Sequence, residues 1–161
     1  MTRRIENYTK VFPQGYQAMA ALNRTIEESD LAKREPKLIE LVKMRASQIN
    51  GCAFCLDMHS KDARAIGERE DRLYVLPAWR ETDFYSERER AALAWTEALT
   101  LLPSAGELDE EYANLESVFT EEEIMSLTWA IVVINGWNRI ARPLKSPPGL
   151  YVSRRGQASP K

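Results

Sequence analysis

At 161 residues, with 44% hydrophobic and 29% charged residues, the chain has the make-up of a single globular domain able to bury a substantial core. A formal charge of −2 and a pI near 5.6 argue against a nucleic-acid or anionic-membrane binder, which needs a net basic face. The opening MTRRIENYTKVF lacks the apolar core of a secretory signal, and the longest mostly apolar run, Ile124–Ile134, is too short to cross a bilayer. A cytoplasmic protein without a membrane partner is expected.

Residues 1–12 are polar with scattered aromatics, Tyr8 and Phe12 among them, and read as an arm that packs on a neighbour or stays loose. Pro13 suits the first turn of a helix to about Glu28, striped by Tyr16, Met19, Ala20 and Leu22. Pro36 opens a second helix to about Ile49, where Leu38, Leu41, Val42, Arg45 and Ile49 recur at helical spacing and Asn50-Gly51 is the stop. A third runs from near Cys52 to Ile66 and ends at Gly67. Leu73–Leu76 is briefly strand-like, but Pro77 ends it and one such run makes no sheet.

Ser86 with Glu89 spells a capping box ahead of a helix carrying Ala91, Ala94, Trp95, Ala98, Leu99 and Leu102, closed by Pro103. A shorter helix covers Asp109–Val118. Thr120 with Glu123 spells a second capping box, for a helix that reaches Arg142 at most before Pro143. Ten of the fourteen positions from Ile124 to Trp137 are apolar, which predicts a helix buried on all sides. Residues 146–161, rich in Pro, Gly, Ser and basic side chains, read as a flexible tail. The expectation is one all-α domain over residues 1–145. Ile49-Asn50-Gly51 also recurs as Ile134-Asn135-Gly136, a faint internal echo.

The chemistry is concentrated in one place. Both cysteines, Cys52 and Cys55, and the single histidine, His59, fall within eight positions. On a helix starting near Cys52, Cys55 lies one turn on and His59 another, so all three share a face. Glu40 on the preceding helix could reach the imidazole across an antiparallel pair. Thiols three residues apart on a helix have Cα atoms about 5–6 Å apart, within disulfide range. Without a secretory signal, such a pair suggests redox or metal chemistry rather than a structural staple.

A lowered thiol pKa is not enough by itself. Moving it from about 8.5 to about 6.5 raises the thiolate fraction at neutral pH roughly 25-fold. The lost nucleophilicity, roughly 8-fold, leaves a gain of only about 3-fold. Peroxide reduction also needs a proton delivered to the departing oxygen, worth about 10²- to 10⁴-fold, and His59 backed by Glu40 is the available donor. The four residues therefore act as the unit.

At these residues the sequence resembles the carboxymuconolactone decarboxylase superfamily, and within it the AhpD-like alkyl hydroperoxidases. Their signature, a glutamate, eleven residues, C-x-x-C, three residues and a histidine, is met by Glu40, Cys52-Ala53-Phe54-Cys55 and His59. The flanking RASQINGCAFCLDMHSKDAR, WRET and LAWTEALT are similar as well, and the likeness runs from roughly Tyr16 to Arg139. It implies a helical subunit assembling into trimers or hexamers. It also implies a peroxidase that takes a hydroperoxide and is recharged by an external dithiol, such as a lipoyl group, with no bound cofactor or metal. Cys55 would be the attacking thiol, Cys52 the resolving thiol, and Glu40 with His59 the proton relay. Phe54 departs from the pattern, standing where the best-known members carry a second histidine. Three other readings stay open: a thiol redox sensor or scaffold, a zinc site of Cys52, Cys55, His59 and Glu40, and a decarboxylase, whose branch lacks the cysteine pair.

Overall fold

The computed structural model describes residues 3–155, and every regular element among them is helical. In chain order these are α1 (Tyr8–Val11), α2 (Pro13–Glu27), α3 (Asp30–Arg34), α4 (Pro36–Asn50), α5 (Ala53–Ala65), α6 (Glu70–Val75), α7 (Glu87–Thr100), α8 (Asp109–Glu116) and α9 (Glu121–Ala141), with 3-10 turns at Leu76–Glu81 and Leu102–Ser104. The long helices sit where the periodicity and caps predict. Both capping boxes form: Glu89 N–H donates to Ser86 Oγ at 3.2 Å, and Glu123 N–H to Thr120 Oγ1 at 3.3 Å. The strand-like run Leu73–Leu76 instead ends α6 and opens a 3-10 turn. Its Leu73 and Leu76, three residues apart, then bury together beside Leu41 and Trp79.

The hub is α4. It packs on α5, α7 and α9, and from Leu38 to Ser47 nearly every side chain is buried, including Glu40, Lys43 and Ser47. The helix expected to be buried on all sides, α9, is not: Met125, Trp129 and Val132 are 53%, 45% and 48% exposed along one stripe. Within the single chain the most buried helix is therefore α4 and not the more apolar α9, because α4 hides polar side chains in its core-facing surface.

Helices α4 and α9 are pinned where they approach each other. Asn50 Nδ2 donates to Asn135 Oδ1 at 2.8 Å and to Asn138 Oδ1 at 2.9 Å, while Asn138 Nδ2 reaches Ser47 Oγ at 3.1 Å. The repeated Ile-Asn-Gly thus brings its two asparagines together, but the copies differ in structure. Gly51 ends α4 with left-handed backbone (φ 62°), whereas Gly136 lies inside α9 with the Met19 methyl where a Cβ would be. Cys52 N–H bonds to Ser47 O at 3.0 Å and Gly51 N–H to Gln48 O at 3.1 Å, the Schellman closure that turns the chain into α5.

Residues 146–155, expected to form a flexible tail, lie along α5 as a strap. Gly149 N–H donates to Asp57 Oδ2 at 2.9 Å, and Lys61 Nζ to Tyr151 O at 2.9 Å. The rest of that expected tail, 156–161, lies outside the described residues. The N-terminal arm folds on its own chain, with Arg4 N–H on Leu144 O and the Tyr8 ring against Tyr16.

Since a Cβ at Gly51 would meet nothing nearer than 3.6 Å, the cost of Gly51→Ala is the backbone conformation itself. It should lower stability by about 1 kcal/mol, read as a lower urea midpoint at unchanged m-value. An unshifted midpoint would mean that the α4–α5 turn tolerates a side chain.

Candidate active site

The α4–α5 turn sets the site. It folds α5 back beside α4, so that Glu40, on the second turn of α4 by residue count, faces His59, on the second turn of α5. Glu40 Oε2 accepts a hydrogen bond from His59 Nδ1 at 2.8 Å, with both side chains buried. The other carboxylate oxygen, Oε1, has Arg155 Nη2 at 3.2 Å and Lys43 Nζ at 3.6 Å. Lys43, only 3% exposed, also lies 3.6 Å from Glu27 Oε1 of α2.

Cys52 and Cys55 are joined as a disulfide, with Cα atoms 5.4 Å apart. Cys52 is the N-cap residue of α5 and Cys55 lies in its first turn, where the helix dipole favours a thiolate once the bond is reduced. The two sulfurs have different surroundings. Cys55 lines a cavity of about 640 Å³ together with His59 and Cys52 does not, although both cysteines are buried in one cluster with Ala46, Ile134 and Ala141. The cavity's other walls include aromatic and apolar residues (Tyr8, Tyr16, Phe54, Met58, Ile134, Trp137) and polar ones (Glu27, Lys43, Asp62, Tyr151, Arg155). Tyr16 meets Trp137 edge to face at 5.6 Å.

All four residues singled out from the sequence thus gather here, and Phe54 is a cavity wall. Sequence reasoning missed Lys43, Asp62, Trp137, Tyr151 and Arg155. The first two had a signal: Lys43 is one turn beyond Glu40 on α4, and Asp62 one turn beyond His59 on α5. Arg155 had none, since nothing local ties residue 155 to residue 40. Arg45, on the same helix as Glu40, pairs instead with Glu97 at 2.7 Å beside Trp79.

Burial would push the Glu40 carboxyl up, but the His59 hydrogen bond and the charges of His59, Lys43 and Arg155 outweigh it and hold it at about 2. Tyr151 moves the other way, pushed up to about 12 by burial and by its bonds to Asp62, so it stays a neutral donor. Its hydroxyl donates to Asp62 Oδ1 at 2.8 Å, and Ser153 Oγ donates to the same oxygen at 2.6 Å. Glu40, His59 and Asp62 bring donor atoms within 4.8 Å of one another, the grouping closest to a cation site. Among the described residues it contains no sulfur, unlike the zinc set left open as an alternative from the motif. The acids already face His59, Lys43, Arg155, Tyr151 and Ser153. A cation would have to displace that set.

A model of the Carboxymuconolactone decarboxylase family matches residues 13–98, more than half of the chain. The chain belongs to this family. Within it, the chain is similar to AhpD-like members. The uncharacterized protein YdfG of Bacillus subtilis is 43% identical over 141 residues, 88% of this chain and 93% of the relative. A crystal structure from Agrobacterium tumefaciens, of a protein of unknown function proposed to be the antioxidant defence protein AhpD, is 41% identical with a TM-score of 0.86. The match covers 93% of this chain and 100% of that one. The debrominase Bmp8 shares the fold at 22% identity and a TM-score of 0.74, over 88% of this chain and 75% of its own. An AhpD-like family and a C-x-x-C disulfide fit a peroxidase-related role.

Because the Glu40 carboxyl sits below its unfolded value, its ionisation adds stability that is fully present above about 4.5 and is lost as pH falls through about 2. A difference of that size amounts to about 3 kcal/mol at neutral pH. Glu40→Gln should therefore be less stable than wild type at pH 7 and flatter in its urea midpoint between pH 5 and pH 2. Parallel wild-type and Glu40→Gln curves would show that the carboxylate is not held this way.

Proposed function

We propose that this protein is a thiol-dependent peroxidase that reduces organic hydroperoxides and is recharged by an external dithiol. The observation that carries the reading is that Cys55 and His59 face one cavity, while buried Glu40 holds the Nδ1–H of that imidazole and Cys52 stands in disulfide contact behind. With Nδ1 donating to Glu40, Nε2 is the nitrogen left to take and return a proton.

In this reading the reduced Cys55 thiol gives its proton to His59, and the thiolate attacks the distal oxygen of ROOH. An S–O bond forms and the O–O bond breaks. The departing alkoxide takes the proton back from the imidazolium and leaves as ROH. The Cys52 thiol then attacks Cys55–SOH: the S–S bond forms, the S–O bond breaks and water leaves. An external dithiol, of lipoyl type by family resemblance, reduces the disulfide and becomes a disulfide itself. The apolar walls suit an organic hydroperoxide with an aryl or alkyl body, and Phe54 extends that wall where a second histidine would make it polar. The same pair used once, without a dithiol to recharge it, would be a redox sensor, and turnover separates the two.

Cys55→Ser should lose hydroperoxide turnover, whereas Cys52→Ser should consume one equivalent and stop with a sulfenic acid on Cys55, read by mass spectrometry after dimedone trapping. Turnover by Cys55→Ser, or a sulfenic acid on Cys52 instead, would reverse or remove the assigned roles.

We further propose that the protein works as a homo-oligomer, a trimer or hexamer by family resemblance, in which a second copy covers the Met125, Trp129 and Val132 stripe of α9. Large apolar side chains half exposed in one row are costly to leave in water. Light scattering should give a multiple of 18.4 kDa at micromolar concentration, and Trp129→Glu should reduce it. A wild-type mass equal to the single chain would rule the assembly out.

A further inference from the structure

We propose that Arg155, carried by the C-terminal strap, is a positioning residue of the redox site: its guanidinium fixes the charge balance around Glu40 and thereby the protonation of His59 and Cys55. The inference rests on the reading of Glu40, His59 and Cys55 as one proton-handling unit.

The geometry is specific. One oxygen of Glu40 is engaged by His59; the other, fully buried, receives no hydrogen bond of good geometry among the described residues. Its nearest cation is Arg155 Nη2 at 3.2 Å, nearer than Lys43 at 3.6 Å. The same guanidinium lies 3.1 Å from Glu27 Oε1, and its Nε 3.9 Å from Asp62 Oδ2. One side chain from outside the helical bundle thus touches the carboxylates of α2, α4 and α5 together.

The charge count makes that contact consequential. Glu27, Glu40 and Asp62 face the site with Lys43 and Arg155 as the two basic side chains. Tyr8 from α1, Tyr16 from α2 and Tyr151 from the strap are the remaining titratable side chains of the cavity, and α9 brings only Ile134, Trp137 and Ala141. Remove Arg155, and three acids face one ammonium. The surplus negative potential then favours the protonated forms of both the imidazole and the Cys55 thiol. Both effects point the same way.

The strap is anchored independently of Arg155. Asp57, Lys61 and Asp62, spaced along α5, hold Gly149, Tyr151 and Ser153 in order. Chain tracked this way along α5 delivers residue 155 to Glu40. Replacing Arg155 alone therefore changes the charge while leaving those anchors in place.

The test measures the thiol without requiring peroxidase activity. Reduced protein in a Cys52→Ser background is alkylated with iodoacetamide from pH 5 to pH 10, and modification of Cys55 is followed by mass spectrometry. Arg155→Gln should move the midpoint up by roughly half a pH unit or more, a rate about threefold lower on the acid side. Arg155→Lys, which keeps the charge, should recover most of that displacement. Coincident curves for wild type and Arg155→Gln, or for the Lys and Gln variants, overturn the proposal. Cumene hydroperoxide turnover with dithiothreitol, assayed in parallel on protein with both cysteines, separates the two readings. A displaced midpoint without turnover sinks the peroxidase and keeps the positioning role, whereas turnover with an undisplaced midpoint does the reverse.

Discussion

A carboxylate with no access to water sits at the crossing of α4 and α5, and much of the molecule is arranged to make that tolerable. An unpaired buried charge costs several kcal/mol, so ionised Glu40 demands partners from whatever packs around it. It draws His59 from α5, Lys43 from its own helix and Arg155 from the chain's last described residues. Each partner is itself constrained. Lys43 needs Glu27 of α2, and Arg155 needs the strap that Asp57, Lys61 and Asp62 hold down. Four separate segments are thereby brought to one point by the solvation requirement of one side chain.

The same requirement explains where sequence reading succeeds and where it fails. Helices α2, α4, α5, α7, α8 and α9 were legible because local signals define them: Pro13 and Pro36 at first turns, Ser86 and Thr120 capping boxes, Gly51 as a stop. Short α1, α3 and α6 escaped, since one or two turns hold too few residues to show a period, and α6 was masked by the β-like composition of Leu73–Leu76. The order of burial was misread for a different reason. Hydrophobicity marks α9 as the core helix, yet α4 is the hub, because its buried face carries the polar groups of the site. A buried polar residue that has found its partner looks, from composition alone, like a solvated one.

The site divides along the same line. Glu40, Cys52, Cys55 and His59 were legible because their spacing on two consecutive helices is short-range information. Asp62 and Lys43 were within reach of the same helical register. Tyr151 and Arg155 were not, because a Pro/Gly/Ser-rich terminal stretch has no periodicity to suggest what it packs on, and the contacts that order it lie about ninety positions away. Composition reports what a segment can do alone; here α5 supplies the acids that the basic and hydroxyl side chains of the strap need.

The two cysteines show how the fold makes use of a difference between neighbours. They belong to one motif and one buried cluster with Ala46, Ile134 and Ala141. Yet Cys52 follows the Schellman turn at Gly51 and stays out of the cavity wall, while Cys55, in the first turn of α5, is part of it. In the proposed reaction a hydroperoxide in the cavity would meet Cys55, which shares that cavity with the imidazole that Glu40 orients. In the proposed cycle the proton of the second thiol leaves with the expelled hydroxyl as water, and its attack closes a bond that the 5.4 Å Cα separation already permits. An asymmetry of packing, set by one left-handed glycine, is in this reading enough to turn two identical side chains into an ordered pair.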